Sequence, residues 1–200
     1  LKAYDPDQRK RMGAYYTPLP IVDFMIRTVD AILKNDFDLA DGLADTSKIT
    51  KKIEIQGKKV LQEFHEVQIL DPAVGTATFL NEIVRFVRTG FAGQEGRWPA
   101  YARDDLIPRL NGFELMMAPY TVAHLKLGLT LKESGVSDFG KRLGVYLTNT
   151  LEEGLDRPQN LFQQPGLAGA VATEAVIAGE IKNERPIMVV IGNPPYSGVS

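Results

Sequence analysis

Early in the chain the apolar residues recur at helical spacing: Ile21, Val22, Met25, Ile26, Val29, Ile32 and Leu33 fall on one stripe, and Pro18 suits a first helical turn. The spacing predicts a helix ending near Asn35. Residues 36–52 are polar and weakly periodic, and Ile53 to Val60 reads as a short hairpin with Gly57 in its turn. Val67-Gln68-Ile69-Leu70 is a β-type run that opens at Asp71-Pro72 into a loop of small residues. Phe79, Leu80, Ile83, Val84 and Val87 then return to helical spacing. Gly90, Gly93, Gly96, Pro99 and Pro108 predict an irregular insertion over 89–108 with at most one short helix. A second strand, Leu110 to Glu114, leads to a helix from Pro119 carrying Val122, Leu125, Leu129 and Leu131. Residues 143–147 read as a third strand, 151–168 as loop, 170–183 as helix, and Ile187 to Ile191 as a fully apolar strand.

Strands alternating with helices, the last apolar on both faces, predict an α/β protein with a parallel sheet covered on both sides. Ligands of such sheets sit beyond the carboxyl ends of the strands near the switch point, which directs attention to the loops at 71–78, 114–118, 148–153 and 192–197.

Composition narrows the field. At 200 residues, 44% hydrophobic and 24% charged, the chain has the balance of a globular protein rather than a disordered one. It contains no run approaching the roughly 20 apolar residues that span a bilayer, and its start lacks a signal-peptide layout, so a cytoplasmic protein without membrane contact is expected. The absence of cysteine excludes disulfides and thiol chemistry, and two histidines, His65 and His124, leave no basis for a histidine-rich metal centre. His65, His124 and Trp98 read as packing or surface residues, Lys51-Lys52 and Glu152-Glu153 as solvated charges. A net charge of −2 implies that a polyanionic partner would be gripped largely by something else. The chain opens on Leu1 and closes on Gly198-Val199-Ser200, directly after a strand and a Pro-Pro turn, and reads as a piece of something longer.

Three segments carry candidate chemistry. In Asp71-Pro72-Ala73-Val74-Gly75-Thr76-Ala77-Thr78-Phe79-Leu80 a strand delivers the chain into small residues. There, backbone amides and a helix amino end can face an acidic small molecule, although an ordinary strand-to-helix connection would look the same. The loop matches neither the Gly-Lys-Ser/Thr phosphate cradle nor the three-glycine dinucleotide spacing. Glu114, at the end of the second strand, can accept the hydroxyl protons of a ribose or be merely a solvated carboxylate. In Ile191-Gly192-Asn193-Pro194-Pro195-Tyr196 the prolines fix the backbone, so the Asn193 amide and the Pro194 carbonyl become fixed acceptors beside an aromatic ring. That set suits an amine attached to a planar π system. Acceptors for both N–H groups favour the pyramidal nucleophilic nitrogen while Tyr196 stacks on the planar group, although Asn-Pro and Pro-Pro are also common loop punctuation.

The order Gly13-Ala14-Tyr15-Tyr16-Thr17-Pro18, then Asp71 to Leu80, then Gly112-Phe113-Glu114-Leu115, then Asn193-Pro194-Pro195-Tyr196 resembles the N6-adenine DNA methyltransferases whose cofactor motifs precede the catalytic one. Gly112 to Leu127 is similar to the methylase region of single-chain, type ISP restriction-modification enzymes. The resemblance implies a class I methyltransferase fold, Rossmann-like and incomplete at its carboxyl end. An amino-terminal segment over 1–65 carrying a helix and a possible hairpin would precede a partial methyltransferase domain over 66–200. It implies S-adenosylmethionine as donor and double-stranded DNA as partner, with recognition, helicase or nuclease regions elsewhere. By motif, Tyr16 and Thr17 would lie near the methionine end of the cofactor. Asp71, Pro72, Ala73, Gly75 and Thr76 would belong to the loop around its amino and carboxylate groups, and Phe79 would also be a cofactor-binding residue. Glu114 would take the ribose, Leu115 the adenine ring, and Asn149 and Thr150 the adenine edge, where relatives often carry Asp. Asn193, Pro194, Pro195 and Tyr196 would hold a flipped adenine.

Relatives usually carry glycine where this chain has Ala77, a change that costs roughly 1–2 kcal/mol if the position needs φ > 0. Two rival expectations follow: a protein-glutamine or RNA-guanine N-methyltransferase using the same Asn-Pro-Pro-Tyr corner, or a non-catalytic module that kept the fold for assembly or DNA binding. The fragment alone is expected to be a poor catalyst.

Overall fold

The computed structural model describes residues 17–55, 58–151 and 167–195. Helix α1 (Leu19–Asp36) starts where the Pro18 carbonyl accepts from the N–H groups of Ile21 and Val22 at 3.0 and 3.2 Å. It buries Val22, Ile26 and Leu33 from the predicted stripe, while Ile21 and Ile32 on its flanks stay exposed. A tight turn at Gly42–Ala44 is tied back to it by Asp30, whose Oδ1 accepts from the Leu43 N–H at 2.9 Å.

Strands β1 (Lys48–Ile55) and β2 (Lys58–His65) form an antiparallel hairpin, with Lys48 opposite His65. The hairpin is longer than the predicted 53–60, and Gly57 lies outside the described residues. Ile53 and Phe64 are buried but Val60 and Leu61 are exposed, so little alternation was present to mark its length.

The second sheet contains β3 (Gln68–Asp71), β4 (Leu110–Glu114), β5 (Val145–Leu147) and β6 (Ile187–Val190), all parallel, in the order β5-β4-β3-β6. The chain steps outward from β3 to β5 and then returns to lay β6 on the other side of β3. The order therefore reverses at β3, and a crevice is expected between the loops that follow β3 and β6. The connecting helices are α2 (Thr78–Thr89), α3 (Trp98–Tyr101), α4 (Met117–Glu133) and α5 (Leu167–Glu184). Ile69, Val145 and Val189 point into a core with α1, α2 and α4, whereas Leu70, Phe113 and Tyr146 meet Ala178 and Ile181 of α5. Neighbours such as Ile69 and Leu70, or Val145 and Tyr146, take opposite faces because side chains alternate along a strand. The expected α/β class, a parallel sheet with helices on both faces, is what the chain forms.

Three further details differ from what the sequence predicts. β6 is only partly covered on its second face: it lies at the edge of the described sheet with Val190 64% exposed, while Ile187 joins Leu70, Phe113 and Tyr146 in the cluster under α5. The 89–108 segment is not irregular. Short turns at Glu95–Arg97, Ala102–Leu106 and Ile107–Arg109 follow one another around α3, anchored by buried Trp98, whose indole N–H donates to Ser134 Oγ at 2.9 Å. α4 begins at Met117, two residues before Pro119, which its first turn tolerates. His65 pairs with Asp105 and His124 with the Val145 carbonyl, each at 3.1 Å, as packing residues would; Lys51 and Lys52 are exposed, and Glu152 and Glu153 lie outside the described residues. Among the described residues, no helix is long and apolar enough to cross a membrane.

Candidate functional site

Asp71 ends β3 with only 1% of its surface exposed. Its Oδ1 accepts from the Ala73 N–H at 3.1 Å, which turns the chain, while Oδ2 is buried without a hydrogen-bond partner among the described residues. Burial, reinforced by the nearby Glu114 charge and opposed by the Ala73 bond, pushes the Asp71 carboxyl up to about 7. Past Pro72 and Ala73, the Val74 N–H donates to the Phe113 carbonyl at 2.9 Å. Gly75, left-handed at φ 53°, aims its N–H at Glu114 Oε2 at 2.9 Å. Glu114 Oε1 accepts from the Met116 N–H at 2.8 Å, so one carboxylate stitches together the loops after β3 and β4. Burial raises this carboxyl's pKa as well, against the bonds from Met116 and Gly75. Each carboxylate oxygen has about two acceptor positions, so Glu114 keeps capacity for hydroxyl donors from outside.

Thr76 is half-buried and leads to Ala77, which adopts the left-handed conformation at φ 60°, ψ 37° just before α2. The condition for the alanine penalty is thus met, roughly 1–2 kcal/mol relative to a residue free to take that conformation. Phe79 is buried, its ring belonging to the core between α2 and the sheet. Leu115 stands 61% exposed on the lip after β4. Beyond β5, Asn149 Oδ1 accepts from the Leu151 N–H at 3.1 Å, and the Thr150 hydroxyl donates to the Pro72 carbonyl, drawing this turn across β4 to the β3 loop. Thr17 is half-buried just ahead of α1; Tyr16 and Tyr196 lie outside the described residues.

The last strand brings the remaining motif to the same place. The Ile191 N–H donates to the Leu70 carbonyl at 3.0 Å, and Gly192 then lies against Asp71. A Cβ built on Gly192 would stand 3.1 Å from Asp71 Cγ and 3.2 Å from Pro72 Cδ, and nearer still to Asp71 Oδ1. The corner of half-buried Asn193 and exposed Pro194 and Pro195 therefore starts in contact with the Asp71 carboxylate, and the two loops adjoin at the point where strand order reverses, where a ligand cleft is expected. Gly192→Ala is expected to cost about 1–3 kcal/mol of folding stability, because the Asp71 side chain is enclosed and cannot swing clear. Thermal melts beside wild type check this; an unchanged midpoint contradicts the close approach.

Chemically the cleft is rich in acceptors. It offers a buried carboxylate oxygen without a partner for a cation, a strand-end carboxylate for a diol, and an amide beside a proline-fixed carbonyl for an N–H donor. A ligand with an ammonium group and a ribose fits the first two. The sequence reading missed Gly192 as a contact residue, since glycine before Asn-Pro reads as turn punctuation. It also missed Glu174 and Lys182 of α5, which hold the β5 end at Leu147 and Asn149 and show no local signal.

Comparison with known proteins bears on the family. The family model described as N-6 DNA Methylase matches residues 1–199. Among solved structures, the chain is similar to that of the DrdV–DNA complex, with 31% identity and a TM-score of 0.64 over 98% of this chain and 15% of that one. It is also similar to a nuclease-deletion mutant of the type ISP restriction-modification enzyme LlaGI in complex with a DNA substrate mimic, with 22% identity and a TM-score of 0.61 over 92% of this chain and 13% of that one. The DNA-bound, ATP-dependent type ISP enzyme LlaBIII gives 24% identity and a TM-score of 0.62 over 91% of this chain and 10% of that one. The chain thus spans a small part of each of these longer proteins. No curated protein sequence matches it.

Proposed function

The chain belongs to the N-6 DNA methylase family, and from that premise we propose that it is the methyl-transferring part of a restriction-modification protein, moving a methyl group from S-adenosylmethionine to N6 of adenine in duplex DNA. The observation that carries this reading is the contact of Gly192 with Asp71, which joins the corner that would hold the target amine to the loop that would hold the cofactor. The likeness to the DrdV chain, itself in complex with DNA, supports the choice of partner. The reversed parallel order of the sheet supports assignment to the class I methyltransferase architecture.

In this reading the unpartnered Asp71 Oδ2 receives the cofactor's ammonium group, and Glu114 accepts from its ribose hydroxyls. The turn at Asn149 and Thr150 and the exposed side chain of Leu115 would hold the adenine ring. When bound, S-adenosylmethionine supplies an electrophilic methyl group on a sulfonium. The Asn193 side-chain oxygen and the Pro194 carbonyl would accept the two N–H groups of the target amine, localising the nitrogen lone pair and meeting the positive charge that develops. As the N–C bond forms the methyl–sulfur bond breaks, the sulfur leaves as a neutral thioether, and the nitrogen gives up one proton to solvent. By the motif, Tyr196 would be the residue that stacks on the extruded base. Extrusion costs about a few kcal/mol, which stacking and these hydrogen bonds offset.

The test is an assay of the full-length protein with methyl-labelled S-adenosylmethionine and duplex DNA, RNA and release-factor protein in parallel. Label on N6 of adenine in DNA is expected. Label on glutamine or guanine would move the assignment to the rival acceptors, and failure to bind the donor at all would leave a non-catalytic module.

A further inference from the structure

Among the described residues, side chains make most of the bonds that hold the turn after β5. Leu147 is the last residue of that strand, which is the edge strand of the described sheet on its side, and its N–H donates to Glu174 Oε2 at 3.3 Å. The Thr148 N–H donates to the Glu114 carbonyl at 2.8 Å and is the last backbone bond to β4. Beyond it the carbonyl of Asn149 accepts from Lys182 Nζ at 2.7 Å, the Asn149 side chain caps the Leu151 N–H, and the Thr150 hydroxyl reaches the Pro72 carbonyl. Glu174 and Lys182 are both on α5, about two turns apart, and both grasp this one stretch of chain. Glu174 is itself steadied by Arg142 Nη2 at 2.6 Å, and the Lys182 ammonium stands 5.5 Å from the centre of the Phe113 ring.

We propose that Lys182 is a positioning residue for the cofactor. Through the Asn149 carbonyl it fixes the turn so that Thr150 can meet Pro72, and that contact walls the cleft beside Glu114. The proposal rests on the reading that this cleft takes S-adenosylmethionine. A charged donor suits the task, because a charge-assisted hydrogen bond is roughly twice as strong as a neutral one and, among the described residues, the backbone bonds from this turn to β4 end at Thr148. The direction of the effect follows. Losing the ammonium loosens the turn in the free protein, and the cofactor must then order it on binding.

The experiment compares wild type, Lys182→Met and Lys182→Arg in the full-length protein. Methionine keeps a long apolar stem against Phe113 but removes the donor, and arginine restores a donor. Two readouts are taken. Hydrogen exchange of amides 147–151 without cofactor is expected to quicken in Lys182→Met and to return towards wild type in Lys182→Arg. The KM for S-adenosylmethionine is expected to rise about tenfold in Lys182→Met, with kcat at saturating cofactor little changed. Thr150→Val attacks the same link from its other end and serves if Lys182→Met does not fold. It should quicken the same amides, and where both variants fold, combining them should do little more than either alone. Unchanged exchange at 147–151 in either folded variant overturns the proposal, as does a fall in kcat with KM unmoved. A wild-type protein that binds no S-adenosylmethionine would instead overturn the functional reading, and the exchange comparison would still decide whether Lys182 orders the turn.

Discussion

Alanine in place of Asn193 is expected to slow methyl transfer by the full-length protein about 10²–10³-fold while cofactor affinity stays close to wild type. The size comes from what the amide does in the proposed reaction. Its oxygen is useful only where charge develops on the attacking nitrogen, and an oriented group of that kind acts on kcat rather than on binding. The separation from cofactor binding comes from the fold. Gly192 touches Asp71 and Pro72 through its own backbone, so the cofactor loop keeps its neighbour when the next side chain is cut back. Pro194 also keeps residue 193 out of the helical region whatever its side chain, so the corner should survive and its carbonyl should supply the residual rate. Single-turnover kinetics with labelled donor, alongside calorimetric titration of S-adenosylmethionine, measure both quantities. A variant that transfers methyl at the wild-type rate removes the amide from the mechanism. One that loses cofactor binding in proportion to rate makes it a structural residue.

The parts of the molecule that were legible in the sequence are those whose physics is local. The stripe of α2 announces itself because it is buried on a face set by its own period. The loops worth inspecting followed from parallel-sheet geometry alone, and Asp71 and Glu114 do stand at strand ends with their carboxylates directed into adjoining loops. The β1–β2 hairpin was truncated because a mostly solvated ribbon such as Lys58–His65 need not alternate. The cover over β6 was overestimated for a related reason. An apolar run states that a strand can be buried, but where α5 settles is decided by Phe113 and Tyr146 on other strands. The grip of Lys182 on Asn149 joins residues 33 positions apart and leaves no trace in either neighbourhood.

The stability of the protein should carry an inverted pH signature from Asp71. Burial pushes the folded-state carboxyl up to about 7 from the ordinary aspartate value of 3.8, with desolvation as the main cause. Between those two values the folded protein binds the proton and the unfolded chain does not, so stability falls as pH rises through the window. The contribution is complete below the unfolded value and lost above about 7, the reverse of the usual salt-bridged aspartate. A shift of this size corresponds to about 4 kcal/mol between the ends of the window. Asp71→Asn keeps an acceptor for the Ala73 N–H and cannot ionise, so its stability should be flatter between pH 4 and 7 by about that amount, as read from denaturant unfolding at several pH values. Equal slopes for the two proteins would show that Asp71 ionises freely in the fold. The same carboxylate ties stability to function. A cationic group placed on Oδ2 favours the charged form, so binding the proposed cofactor should expel the proton, and affinity should weaken as pH drops below about 7. Calorimetry in buffers of different ionisation enthalpy would detect that proton. In Asp71→Asn it should be missing, and the affinity should be low at every pH, because the amide offers the ammonium no charge.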